Sequence, residues 1–298
     1  MTSKLSRKHH TVPEFFLRRF LAPGEVFLQE YFKPRGEWRR TSPKRATVEV
    51  DANLYEGELG LTDVMENEFS RIETLVGPLF DALTKDRTPS AFEREGLASF
   101  LSLQILRGRM ARSFWLQAKS HLQQAPESLR LVDNCKSKIE HKFGNDQFNS
   151  LRENVAKTGL RLPIGFGLEQ LPRMHPKLGL SLSMMNWRLE LPVGKERFVV
   201  SDNPVVPVDR FRPFSETIAS IFGHQQQLEV SCPIDPMRCL VCSWEVSPIW
   251  AKSVSDVRVL EINRRTAMAA QRSVYGGTMT ERTRAVIEQQ RMKSMRLG

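Results

Sequence analysis

The chain has 298 residues, 40% of them apolar and 26% charged, with 17 Gly, 17 Pro and four Cys. That composition excludes a disordered, collagenous or disulfide-stapled protein and leaves enough chain for a real core in one large or two smaller domains. The net charge is +10, and residues 1–45 carry +7 of it, eleven Lys and Arg against four Glu. Such a field attracts polyanions, or is a solvated basic surface. No apolar run opens the chain, so no secretory leader is expected. No stretch approaches the ~18 apolar residues that span a bilayer, so a soluble, cytoplasmic protein without a membrane partner is expected.

In chain order, residues 13–21 read as a short helix started by Pro13 and weighted by Phe15, Phe16 and Phe20. Residues 25–32 read as a strand, 34–37 as a turn, and Trp38 begins the return strand of a hairpin. Residues 51–61 read as a loop. Apolar residues at spacings of three and four from Met65 to Leu83 predict a helix over 62–85, and a long helix is predicted over about 91–123 after Pro89-Ser90. Residues 127–157 read as helical with a break at Gly144, and the Gly- and Pro-rich 159–180 as a linker or irregular crossing. The period then changes to two. Residues 184–191 and 197–201 read as a hairpin, 227–232 and 237–244 as further strands, 256–274 as a helix stopped by Gly276-Gly277, and 280–296 as a basic amphipathic helix. The order hairpin, helices, sheet, helix favours α+β, with a central helical group, an N-terminal β-hairpin and a C-terminal antiparallel sheet. Residues 1–298 are read as one unit, subdivided into 1–158 (hairpin plus helices) and 181–298 (sheet plus C-terminal helices).

Polar residues interrupt the apolar patterns at four places. Gln104 and Arg107 fall inside the apolar arc of the long helix with Leu97, Phe100 and Leu103, where an unpaired guanidinium is costly. They either point into a polar site or satisfy one structural carboxylate. Glu66 and Glu73, seven apart, share a helix face and could bind a divalent metal, act as acid or base, or pair with Arg107. His9-His10 before Val12-Pro13 could be metal ligands, general bases or phosphate binders. Asp202-Asn203, before Pro204, either presents a carboxylate at a strand end or caps its own turn. Cys239 and Cys242 have no partner CxxC. On a strand they would face opposite ways, as buried small hydrophobes rather than a zinc or redox pair. The chain has no P-loop, dinucleotide-binding, nucleophile-elbow or zincin motif.

His9-His10-Thr11-Val12-Pro13, followed by Phe15-Phe16-Leu17-Arg18-Arg19-Phe20, resembles the opening of the mostly bacterial family called domain of unknown function 4238. Tyr55, the spaced Glu66 and Glu73, Gln104-x-x-Arg107, Ser201-Asp202-Asn203-Pro204-Val205, Pro233-x-x-Pro236, and Asn263 with Ala269 to Tyr275 are similar to further motifs of that family. The resemblance spans nearly the whole chain. It supplies no settled activity, and implies that these polar residues form one constellation in one fold.

The leading expectation is a metal-dependent, nuclease-like hydrolase of phosphodiester bonds. His9, His10, Gln104, Arg107, Asp202 and Asn203 would be catalytic, and Glu66, Glu73 and Asp202 would hold Mg²⁺ or Mn²⁺. Arg35, Arg39, Arg40, Lys44 and Arg45 would hold nucleic acid through its phosphates. The alternatives are a non-catalytic nucleic-acid-binding protein and a protein-interaction component of a bacterial defence or toxin system.

Overall fold

A computed structural model describes residues 7–53, 55–57, 60–62, 64–83, 87–160, 168, 171–209, 227–246 and 249–291. The fold is α+β, a helical group set against mainly antiparallel sheets. Helix α1 (Glu14–Arg18) buries Phe16 and Leu17. Phe16 meets Phe80 of α2 (Val64–Leu83), and Phe80 meets Phe100 of α3 (Ala91–Arg107), both edge-on with centroids 5.3 and 5.0 Å apart. Aromatic rings favour this arrangement, which adds to their burial. Ser90 and Glu93 start α3 with a reciprocal capping box.

The helix expected over 91–123 is broken. Helix α3 ends at Arg107, Gly108 is extended (φ −59°, ψ 157°), and α4 (Arg109–Leu122) restarts beyond it. The side chain of Asn203 causes the break. Its Oδ1 accepts the Met110 N–H at 3.2 Å, and it sits where a Cβ on residue 108 would approach within 2.6 Å. Glycine is required here for close approach, so the apolar wheel does not carry past Arg107. Residues 127–157 form three helices, α5 (Ala125–Asn134), α6 (Lys136–Phe143) and α7 (Asn145–Thr158), with a small core of Val132, Phe148 and Val155. The second half of the expected linker is a helix, α8 (Leu171–Met184). It carries Pro176 but buries Leu171, Leu178 and Leu182, and Gly179 lets it lie close to Ala98, Ser99 and Ser102 of α3.

Strand β1 (Lys8–His10) pairs with β4 (Val48–Val50), so the His pair lies in a two-stranded sheet that the sequence did not suggest. The hairpin β2 (Leu28–Phe32) and β3 (Glu37–Thr41) forms as expected. It does not stand apart, because the sheet order is β3-β2-β13-β8, with β8 Val200–Ser201 and β13 Ser273–Gly276. Strands from both ends of the chain therefore share one sheet. Residues expected to be a loop contain the small hairpin β5 (Tyr55–Gly57) and β6 (Gly60–Thr62).

The larger sheet runs β12-β7-β11-β10-β9, with β7 Asn186–Pro192, β9 Val206–Asp209, β10 Leu228–Asp235, β11 Arg238–Ser243 and β12 Ala251–Val254. The expected hairpin of 184–191 with 197–201 does not form. Asn263 of α9 (Asp256–Ala269) accepts the Val199 N–H at 3.1 Å and donates to the Arg197 carbonyl at 2.8 Å, drawing that segment away from β7. Helix α9 stops at Ala269 instead of continuing to 274: the Ala270 N–H still bonds to Thr266, but the N–H groups of Gln271 and Arg272 are taken by Asp202. Helix α10 (Glu281–Gln289) is the last described helix, and residues 292–296 of the expected basic helix lie outside the described residues. Cys242 packs in the main core and Cys239 in a separate cluster with Val241, Val259 and Ile262, on opposite faces of β11.

Candidate active site at the α3–α4 corner

The Gly108 break gathers three guanidinium groups. Arg107 closes α3 almost fully buried (1% exposed) and donates to Glu73 of α2, with its Cζ 5.1 Å from the Phe69 ring centre. Arg109 and Arg112 lie on the first turn of α4. Glu49, projecting from β4, bridges them: Oε1 is 2.6 Å from Arg109 Nε, and Oε2 accepts from Arg112 Nη1 at 3.2 Å. Arg109 Nε also lies 3.4 Å from Asp202. Arg112 Nη2 donates to Asn53 at 3.0 Å, and Asn53 in turn donates to Glu66 at 2.5 Å. Burial lowers the Arg112 pKa to about 10, against the opposing pull of Glu49.

His9 lies opposite Glu49 in the β1–β4 register and is fully buried. The Asn53 backbone N–H donates to its Nδ1 at 3.1 Å. In the neutral ring that places the proton on Nε2. His9 Nε2 and Arg112 Nε are buried without a hydrogen-bond partner among the described residues, whereas Arg109 Nε is ion-paired with Glu49 Oε1. Buried unsatisfied polar groups are uncommon, and each calls for an acceptor. His10, on the other side of β1, is half-buried with Nδ1 unpartnered.

Asp202 is 1% exposed. Its oxygens accept the N–H groups of Gln271 (3.1 Å) and Arg272 (2.8 Å). Burial nevertheless raises its pKa to about 6, opposed by Arg109, by backbone hydrogen bonding at Arg272 and Ser273, and by Lys33. Buried Lys33 donates to the carbonyls of Ala267 (2.8 Å) and Ala270 (2.6 Å), and burial lowers its pKa to about 8. Asn203 also donates to the Ala269 carbonyl at 2.8 Å. Asp202 and Asn203 thus join α4, the end of α9 and β13 at one point.

Of the sequence-predicted residues, the structure links Arg107 with Glu73, His9 with Glu66 through Asn53, and Asp202 with Arg109. Gln104 is buried one turn before Arg107, and the side chain of Tyr55 lies outside the described residues. The predicted metal ligands do not gather. Glu66 is held by Asn53, Glu73 by Arg107 and Asp202 by backbone N–H groups. Among the described residues, no three His, Cys, Asp or Glu side chains form a metal-holding group. Mg²⁺ or Mn²⁺ would need several oxygens on one centre, which this donor set does not offer. Glu73 borders an open cleft of about 830 Å³ with Arg18, Arg19, Ser70 and Asp81.

The predicted basic arm is partly neutralised. Arg39 makes two bonds to buried Glu30, and Arg40 one to Glu25 at 2.6 Å. Arg35 lies 3.7 Å from Glu37 at 72% exposure, and Lys44 and Arg45 are exposed. Sequence reasoning missed Glu49, Asn53, Arg109 and Arg112. The available signals were Arg107-Gly108-Arg109-x-x-Arg112, a glycine between arginines, and Val48-Glu49-Val50, whose alternation marks a strand.

The chain belongs to the family described as Protein of unknown function (DUF4238), whose model matches residues 8–280. No curated protein and no solved structure matches it. Among the described residues no helix is long and apolar enough to cross a membrane.

Proposed function

Since that family assigns no activity, we propose from the geometry that the chain is a nuclease-like hydrolase of phosphodiester bonds, with its site at the α3–α4 corner. The observation that carries this reading is the Arg109–Glu49–Arg112 ion-pair cluster with two buried donors beside it, His9 Nε2 and Arg112 Nε, that have no hydrogen-bond partner among the described residues. Imidazole and guanidinium N–H donors suit a phosphate oxygen and the charge that develops on it during displacement. Asp202, beside Arg109 and titrating near pH 6, is the group that would hold or release a proton in the working range. The four cysteines are free, which supports a reducing, cytoplasmic setting.

The test is cleavage of labelled DNA and RNA oligonucleotides with EDTA or with added Mg²⁺, Mn²⁺ or Zn²⁺, beside thermal melts. Cleavage by the wild type that Arg112→Gln and Asp202→Asn abolish, with melts showing folded variants, is the expected result. No cleavage of either nucleic acid under any condition overturns it. Binding without cleavage is the second reading, favoured by the exposure of Arg35, Lys44 and Arg45 at and beyond the hairpin tip.

A further inference from the structure

Resting on that reading, we infer that the substrate is single-stranded nucleic acid and that Phe32, Arg39 and Arg272 form a stacking platform leading one strand to the corner. Phe32 is half-buried at the end of β2. The guanidinium carbons of Arg39 and Arg272 lie 4.1 and 5.3 Å from its ring centre. The two cations are not equivalent. Arg39 is held by Glu30, whereas Arg272 has no carboxylate within ion-pair distance among the described residues. A partly exposed guanidinium resting on an aromatic ring, with its charge unspent, offers a flat cationic surface to a base and its phosphate.

The platform adjoins the corner through the backbone. Phe32 is paired with Ser273 on β13, and β13 pairs on its other side with β8, which runs directly into Asp202. Two strand spacings, about 10 Å, therefore separate platform and carboxylate. Arg272 itself gives its N–H to Asp202, and its neighbour Gln271 accepts from Ser113 of α4, the residue after Arg112. Aromatic ring, cation, carboxylate and guanidinium cluster follow one another along this edge.

One feature selects a single strand: stacking on the platform needs an unpaired base, which a duplex does not offer.

The test uses the full chain with bis(p-nitrophenyl) phosphate, a 20-nucleotide oligo-dT, a 20-nucleotide oligo-U and a 20-base-pair duplex. Hydrolysis of the small diester by the wild type reports the corner alone, so its absence, with no cleavage of any oligonucleotide, overturns the hydrolase reading and this inference with it. Given that hydrolysis, the wild type should prefer either single strand to the duplex. Arg272→Ala should raise KM for the oligonucleotides about tenfold, as for the loss of one stacked base, with kcat within about twofold. Arg272→Lys, which keeps charge without a flat face, should recover only part of the loss. Equal use of duplex and single strand, an unchanged KM in Arg272→Ala, or full recovery by lysine overturns the platform while the hydrolase reading stands.

Discussion

Replacing Gly108 by alanine tests the corner on which the site depends. Its backbone at φ −59°, ψ 157° is open to any residue, so conformational freedom is not at stake and the cost is steric. The new Cβ would lie 2.6 Å from Asn203 Oδ1 and 2.9 Å from the Gln104 carbonyl. Asn203 cannot swing aside cheaply, because Oδ1 holds the Met110 N–H and Nδ2 the Ala269 carbonyl. Losing the Met110 bond strands a buried donor, at about 1–3 kcal/mol, and the Gln104 contact adds strain. Gly108→Ala should therefore cost about 2–4 kcal/mol, lowering Tm by roughly 3–6 °C for a chain of this size. Asn203→Ala alone should cost a similar amount, since both of its partners lose their bonds. The double variant should cost less than the sum by about 1 kcal/mol or more, because the clash and the broken bond involve the same Oδ1. Urea unfolding of the four proteins measures this cycle. Strict additivity would refute the claim that Asn203 and Gly108 are fitted to each other.

The sequence revealed the content of the site better than its geometry. Arg107 and Glu73 are legible because each breaks an apolar pattern and a buried guanidinium needs a carboxylate. Asp202 and Asn203 are legible as a strand-end turn. What they do there is not local. Asp202 ends α9 by taking two N–H groups from a segment some seventy positions later, and Asn203 breaks a helix some ninety positions earlier. Propensity alone carries α3 through Gly108, since one glycine costs a helix only ~1 kcal/mol, and a tertiary contact decided the matter. Strand β1 was invisible because three polar residues, Lys8 to His10, show no alternation, and only the Val48–Val50 pairing makes them a strand. The fold class was readable from the switch of period near residue 184. The sheet order was not, because β13 and β8 are four and two residues long and join strands from opposite ends of the chain.

Three further outcomes follow from the charge placement. Glu73→Leu should destabilise by about 3 kcal/mol or more, and Arg107→Met by less, because Glu73 borders an open cleft and can rehydrate whereas Arg107 is 1% exposed; the reverse ranking in urea unfolding would refute the pairing argument. His175 of α8 contacts Ser102 Oγ (2.5 Å) and Ser99 Oγ (3.1 Å), and burial lowers its pKa. Its contribution should be complete above the unfolded value near 6.5 and be lost as pH falls below it, so that His175→Gln differs less from the wild type at pH 5 than at pH 8. Asp202 runs the other way. Its folded pKa of about 6 lies above the ordinary aspartate value near 3.8, so the folded chain binds the extra proton between them. The stabilisation is complete below about pH 3.8 and is lost as pH rises through 6, and two units correspond to about 3 kcal/mol. Asn at this position carries no charge at any pH, but offers one oxygen to two backbone N–H groups, a standing cost of about 1–3 kcal/mol. Asp202→Asn should then be less stable than the wild type at pH 4, and the gap should close or invert by pH 8. Unfolding midpoints that stay parallel across pH 4–8 would mean that Asp202 is ionised throughout, and would remove it as the proton-carrying group of the corner.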